Sequence, residues 1–177
     1  PCTLLPPAGK SPSVVIAAHP DGKGACLRQA AAQKVLDAGK ALCLVDLRDI
    51  GECRWSHGDD QVCLYAARAA VWLGRTMLGD WVKDLAAVRA ALVDGFRFKC
   101  VELLGFGETG SPKVDAGALA RGALFGNGET ALAVLAAAAL EKRFAGVTAV
   151  DLLSTYVVNG APPVQRYSIF VPGMLQW

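Results

Sequence analysis

The chain has few of the residues that usually announce a site. It contains only two histidines, His19 and His57, and neither has a second histidine at metal-ligand spacing, so no metal centre is expected. Its six cysteines (Cys2, Cys26, Cys43, Cys53, Cys63 and Cys100) form no CxxC and no compact cluster. At this length that spacing argues against a disulfide scaffold and favours a reducing, cytoplasmic setting over a secreted one. No charge of one sign dominates: 18 Lys and Arg face 16 Asp and Glu, a net charge of +2. With no basic clusters interleaved with aromatics, nucleic acid and anionic membranes are poor candidate partners. The longest apolar run, ALAVLAAAAL at 131–140, is too short to span a bilayer, and the first residues do not resemble a signal peptide.

Apolar residues are abundant, at 53% against 19% charged. That balance suits one domain, residues 1–177, with a layered α/β fold whose sheet is covered on both faces. It is rich enough in apolar surface to suggest a second protein chain or a homo-oligomer covering part of it. A chain running from Pro1 to Trp177 reads as a piece of a longer polypeptide or a processed product.

The most informative stretch is VELLGFGETG at 101–110, echoed by ALFGNGETA at 123–131. Each is an apolar run ending in Gly-x-Gly-Glu-Thr, the pattern of a buried strand that turns sharply into a helix. Glycines two apart tolerate the strained dihedrals of such a turn and let backbone approach backbone. A nucleophile elbow has this form. Its apex here is read as Glu129, before the better helix, or as Glu108 in the first copy, with Asn127 and Phe106 between the glycines. A carboxylate there could act as a general base or a nucleophile, or simply occupy a tight turn.

Other segments follow an alternating pattern. Residues 1–12 are proline-rich and read as an extended lead-in. VVIAA at 14–18 is a buried strand, followed by the turn His19-Pro20-Asp21-Gly22-Lys23-Gly24 and a helix over 25–38 that stops at Gly39. The turn admits three readings: a phosphate cradle, although the P-loop spacing and its Ser or Thr are absent; an oxyanion-side loop; or a turn with a helix cap. ALCLVDL at 41–47 is the second strand, and Asp46, Arg48, Asp49 and Glu52 form a charged group after it, with Arg48 expected to pair with Asp46 or Asp49. His57 falls in a polar loop. Residues 61–92 are mostly helical with a break around 74–79, and 101–104, 130–143 and 147–153 give strand, helix and strand, with Lys142 and Arg143 in the last helical turn. Four strands, or five, therefore form a mostly parallel sheet with helices on both faces. Dinucleotide binding is disfavoured because no acidic strand end follows either glycine pair.

The segments VVIAAHPDGKG, GKALCLVDLRDIGE, LGRTMLGDWVKDLAAVRAAL, ALFGNGETALAVLAAAAL and GVTAVDLLSTYV, in this order over 14–158, resemble the α/β-hydrolase family, in particular its acetyl xylan esterase-like branch. The resemblance implies a catalytic serine, acid and histidine in that chain order, with no cofactor. By position the serine falls on Glu129, or on Glu108, and the acid and histidine would lie beyond VPGMLQW at the end of the sequence. It also implies that His19, Pro20 and Gly22 line the oxyanion side, and that Phe106 and Asn127 sit beside the ligand. The expectation is an incomplete hydrolase-like fold, a pseudoenzyme with a structural, assembly or ligand-binding role. The alternative is a carboxylic-ester hydrolase, acting on a small ester or acetylated carbohydrate and completed by a missing segment or partner chain.

Overall fold

Strand formation follows the β-branched and leucine-rich runs. The computed structural model describes residues 1–7, 9, 11–54, 67–107 and 129–152. Five strands form one sheet: β1 (Cys2–Leu5), β2 (Ser13–Ala18), β3 (Ala41–Val45), β4 (Cys100–Phe106) and β5 (Gly146–Val150). Their spatial order is β1-β3-β2-β4-β5. All neighbours are parallel except β1, which runs antiparallel to β3 with Cys2 opposite Val45 and Leu4 opposite Cys43. The fold is therefore α/β with a mostly parallel sheet, as expected. The proline-rich lead-in differs from expectation: Cys2–Leu5 lies between its prolines and joins the sheet as an edge strand, where one unpaired side is tolerated.

Among the described residues the connections between the parallel strands include the helices α1 (Lys23–Leu27), α2 (Ala30–Asp37), α3 (Met77–Phe96) and α4 (Glu129–Leu140). The single helix expected over 25–38 is broken, because Gln29 takes an extended backbone (ψ 136°) and aims its side chain at His19 instead of continuing the helical ladder. Gly39 ends α2 as expected, at φ 69°, with its N–H donating to Leu36 O at 2.9 Å. Residues 67–72 are also helical, and the chain breaks at 73–76 before α3. Thr76 caps α3 by accepting the Gly79 N–H at 3.0 Å. Lys142 and Arg143 lie beyond α4, whose helix closes at Leu140, and Arg143 pairs with Glu141 rather than with the helix terminus.

Alternation along each strand divides the core into two layers. On one face Val14, Ile16, Cys43, Val45, Val101 and Leu103 pack against Leu78, Trp81, Leu85 and Leu92 of α3 and Ala133, Val134 and Ala137 of α4. On the other, Val15, Ala17, Leu42, Leu44, Leu104 and Phe106 pack against Cys26, Ala32, Val35 and Leu36 from α1 and α2. Helices thus cover both faces. The chain leaves β2 toward β3 and then crosses back past β2 to β4. Right-handed crossovers in opposite directions put their helices on opposite faces, which is the distribution seen. Among the described residues no helix is long and apolar enough to cross a membrane.

Gly105 sets how closely α4 rides on β4. A β-carbon there would lie 2.5 Å from the Thr130 carbonyl oxygen and 2.9 Å from Ala131 Cα, and would collide with Val134 Cγ2. Two of these obstacles are backbone, so no rotamer change relieves them. Gly105→Ala is expected to lower stability by about 1–3 kcal/mol through overpacking, read as a fall in the urea midpoint with an unchanged slope.

Candidate ligand site at the carboxyl edge of the sheet

Because the chain runs from β2 to β3 on one side and then back past β2 to β4 on the other, the carboxyl end of β2 beside β4 is the topological switch point where open α/β sheets meet ligands. Three segments converge there: the turn after β2, the end of β4, and the first turn of α4. Thr130 joins them. Its fully buried hydroxyl accepts the Phe106 N–H at 3.2 Å and shares its own hydrogen between Phe106 O at 2.6 Å and Ala18 O at 3.0 Å.

His19, the first residue after β2, is 6% exposed and lies against the Phe106 ring, with centroids 5.5 Å apart. Its Nδ1 accepts the Asp21 N–H at 3.0 Å, so the neutral ring carries its proton on Nε2, which faces the Gln29 side-chain amide at 3.0 Å. The Gln29 atom placed there is the amide nitrogen, so that tautomer requires the amide to be turned over to present its oxygen as acceptor. Burial lowers the His19 pKa; the Asp21 carboxylate opposes the shift and Arg28 adds to it. One ring nitrogen thus holds the turn and the other lies against Gln29.

The next amides are engaged too. The Gly22 N–H donates to His19 O at 2.9 Å, and the Lys23 N–H donates to Asp46 Oδ1 at 2.7 Å. With the Asp21 N–H on the imidazole, three consecutive amides close the turn on itself and on the neighbouring loop. Of the three readings of this segment, the turn with a helix cap describes those amides. Pro20 and Gly22 are both buried within it.

Asp46 fixes the loop after β3 to this turn. Its buried carboxylate takes the Lys23 amide on one oxygen and the Glu52 amide, at 3.1 Å, on the other. The Lys23 ammonium lies 3.7 Å from Asp46 and 3.0 Å from Glu52. The hydrogen bond to Glu52, supported by Asp46, raises the Lys23 pKa above the ordinary lysine range. Two glycines make room. Gly51, at φ 56°, would place a β-carbon 2.5 Å from Asp46 Cγ, and Gly22, at φ 85°, would place one 2.9 Å from Gly51 Cα.

Arg48 pairs with neither Asp46 nor Asp49. It reaches across to α3, 2.8 Å from Asp84 and 3.3 Å from Asp80, while the Trp81 indole N–H donates to the Arg48 carbonyl at 2.9 Å. Asp46 is already held by Lys23 and the loop amides. Asp80, buried in the first turn of α3, also receives a bidentate Arg75.

Among the other expected site residues, Phe106 is 2% exposed and belongs to the core layer beneath α1 and α2, so its ring supports His19 from within. Glu129 begins α4. Glu108, Asn127 and His57 lie outside the described residues. The joining roles of Thr130, Asp46 and Gln29 are not apparent from sequence; the only trace is the threonine repeated in both Gly-x-Gly-Glu-Thr copies. Comparison of the chain with models of known families, with curated proteins and with solved structures finds no match.

Two outcomes follow from this geometry. Thr130→Val keeps the shape but leaves the Phe106 amide without its hydroxyl acceptor, and is expected to cost about 1–3 kcal/mol in chemical denaturation, with Thr130→Ser recovering part of the loss. For His19, the folded pKa lies below that of the unfolded chain, so the unfolded state binds more protons between the two values. Its contribution is intact above about pH 6.5 and declines as pH falls toward the folded value. A pH series of urea midpoints is expected to show this acid-side decline, weaker in His19→Asn.

Proposed function

We propose that the chain is an α/β-hydrolase-like domain that does not hydrolyse esters and whose role is ligand binding or assembly, centred on the switch-point edge. The observation that carries this reading is the junction of β4 with α4: a strand and a helix start held in close contact by Gly105 and Thr130, with no serine at the elbow position of either Gly-x-Gly-Glu-Thr copy. In a Gly-x-Ser-x-Gly elbow the serine stands two residues after the first glycine. Counted from Gly105, the close-contact glycine, that position is Gly107, which offers only a hydrogen atom. Counted as the apex of the repeated motif, it is Glu108 or Glu129. No register supplies a serine.

Among the described residues, the nearby Thr130 hydroxyl and Cys26 thiol do not replace it. The Thr130 hydroxyl is fully buried and bonded to main chain. The Cys26 thiol is buried, and desolvation with a smaller effect of Asp46 pushes its pKa up to about 12, so thiolate is scarce at neutral pH. His19 has one ring nitrogen engaged in its turn and the other against Gln29, and is poorly placed to serve as a general base. Support for retained binding comes from the switch-point position itself, the usual ligand edge of an open parallel sheet. A small ester or carbohydrate is the ligand class that the family resemblance implies.

Incubation of the purified protein with a fluorophosphonate ester, followed by intact-mass determination, is expected to leave the mass unchanged. A stoichiometric adduct mapped to any serine would overturn this reading in favour of an ester hydrolase completed by another segment or partner chain.

A further inference from the structure

Cys2 and Cys43 sit on the two antiparallel strands at one edge of the sheet. The register pairs Cys2 with Val45 and Leu4 with Cys43, so the cysteines are diagonal neighbours. Cys43 and Val45 project into the layer under α3 and α4, and Leu4 packs there as well, which puts Cys2 on the same face by strand alternation. The two thiols are near enough for Cys2 to add to the upward shift of the Cys43 pKa. They differ sharply in access: Cys2 is exposed, whereas Cys43 is 1% exposed.

We propose that Cys2 and Cys43 form a reversible oxidation site, in which an exposed thiol meets a low-molecular-weight disulfide and a buried thiol resolves the adduct into a disulfide linking β1 to β3. The balance is that of thiol–disulfide exchange. Cys2 thiolate attacks one sulfur of oxidised glutathione, forming a mixed disulfide and releasing one glutathione thiolate. Cys43, giving its proton to solvent, then attacks the Cys2 sulfur and releases the second. Two protein thiols are oxidised to one disulfide, and one glutathione disulfide is reduced to two thiols.

The strand geometry sets what closure requires. Diagonal neighbours on an antiparallel pair stand about 7–8 Å apart, beyond the span that a disulfide bridges without backbone movement. β1 is a four-residue edge strand with Cys2 at its first position, so a small inward shift of one strand end closes the gap. Burial raises the Cys43 pKa to about 12, with the neighbouring Cys2 adding to the shift, so the second step is the slow one and the mixed disulfide accumulates first.

The test incubates the full chain with oxidised glutathione at neutral pH and follows intact mass and free-thiol count over time. The wild type is expected to gain one glutathione, then lose it together with a second thiol, and to yield a peptide pair cross-linked through Cys2 and Cys43. Cys43→Ala is expected to stop at a persistent glutathione adduct on Cys2, with circular dichroism confirming that the variant folds. A wild-type adduct as persistent as that of the variant, or a cross-link mapped to other cysteines, would overturn the proposal. Peptide mapping of the wild type decides the question even if Cys43→Ala fails to fold.

Discussion

One hydroxyl holds the centre of this structure. Thr130 sits where the ends of β2 and β4 and the start of α4 meet, and its single oxygen bonds to main chain from both strands. Such a group is fully desolvated, so its bonds act in a low local dielectric and cannot be exchanged for water. Gly105 makes the same junction possible from the opposite side, by omitting the side chain that would keep the helix away. Together these two residues fix how closely the start of α4 sits against the ends of β2 and β4.

Asp46 is the complementary constraint on the rim. A buried carboxylate needs several donors to be tolerated, and Asp46 collects them from two loops that are distant in sequence: the amide and ammonium of Lys23, and the amide of Glu52. Gly22 and Gly51 supply the space and the positive φ values that bring those donors inward. On the far side of the same loop, Arg48 and the Trp81 indole tie it to α3. The rim therefore joins helices on both faces of the sheet through the segment Asp46 to Glu52.

Much of the scaffold is legible in the sequence, and the reasons are physical. Val14, Val15 and Ile16, or Leu42, Cys43 and Leu44, are continuous apolar runs that only a strand covered on both faces can bury, and the spacing of Leu78, Trp81, Leu85 and Leu92 is helical. β1 is obscured because its four residues lie among prolines and gain their order from β3. The break at Gln29 is obscured because local propensity favours one helix, whereas a side-chain bond to His19 favours two. The partners of Arg48 are obscured for a similar reason. Nearby Asp46 and Asp49 are the natural choice by sequence, but the carboxylate it meets at 2.8 Å lies 36 residues away. Local pattern reports elements; the site is made of contacts between them, and the repeated Gly-x-Gly-Glu-Thr motif marks Thr130 without telling which main-chain groups it joins.

The central seam of the sheet has a consequence for how the molecule assembles. β2 and β4 pair Val14 with Val101, residues 87 positions apart, whereas β2 and β3 pair Val14 with Ala41, only 27 apart. Closing the longer loop requires more of the chain to be ordered first, so pairings of this kind form late and slowly. The switch point lies along that seam. Its two sides meet only when the amino-terminal β-α-β unit receives a strand made long after it, and until then the apolar flank of β2 is a bare edge in search of a partner.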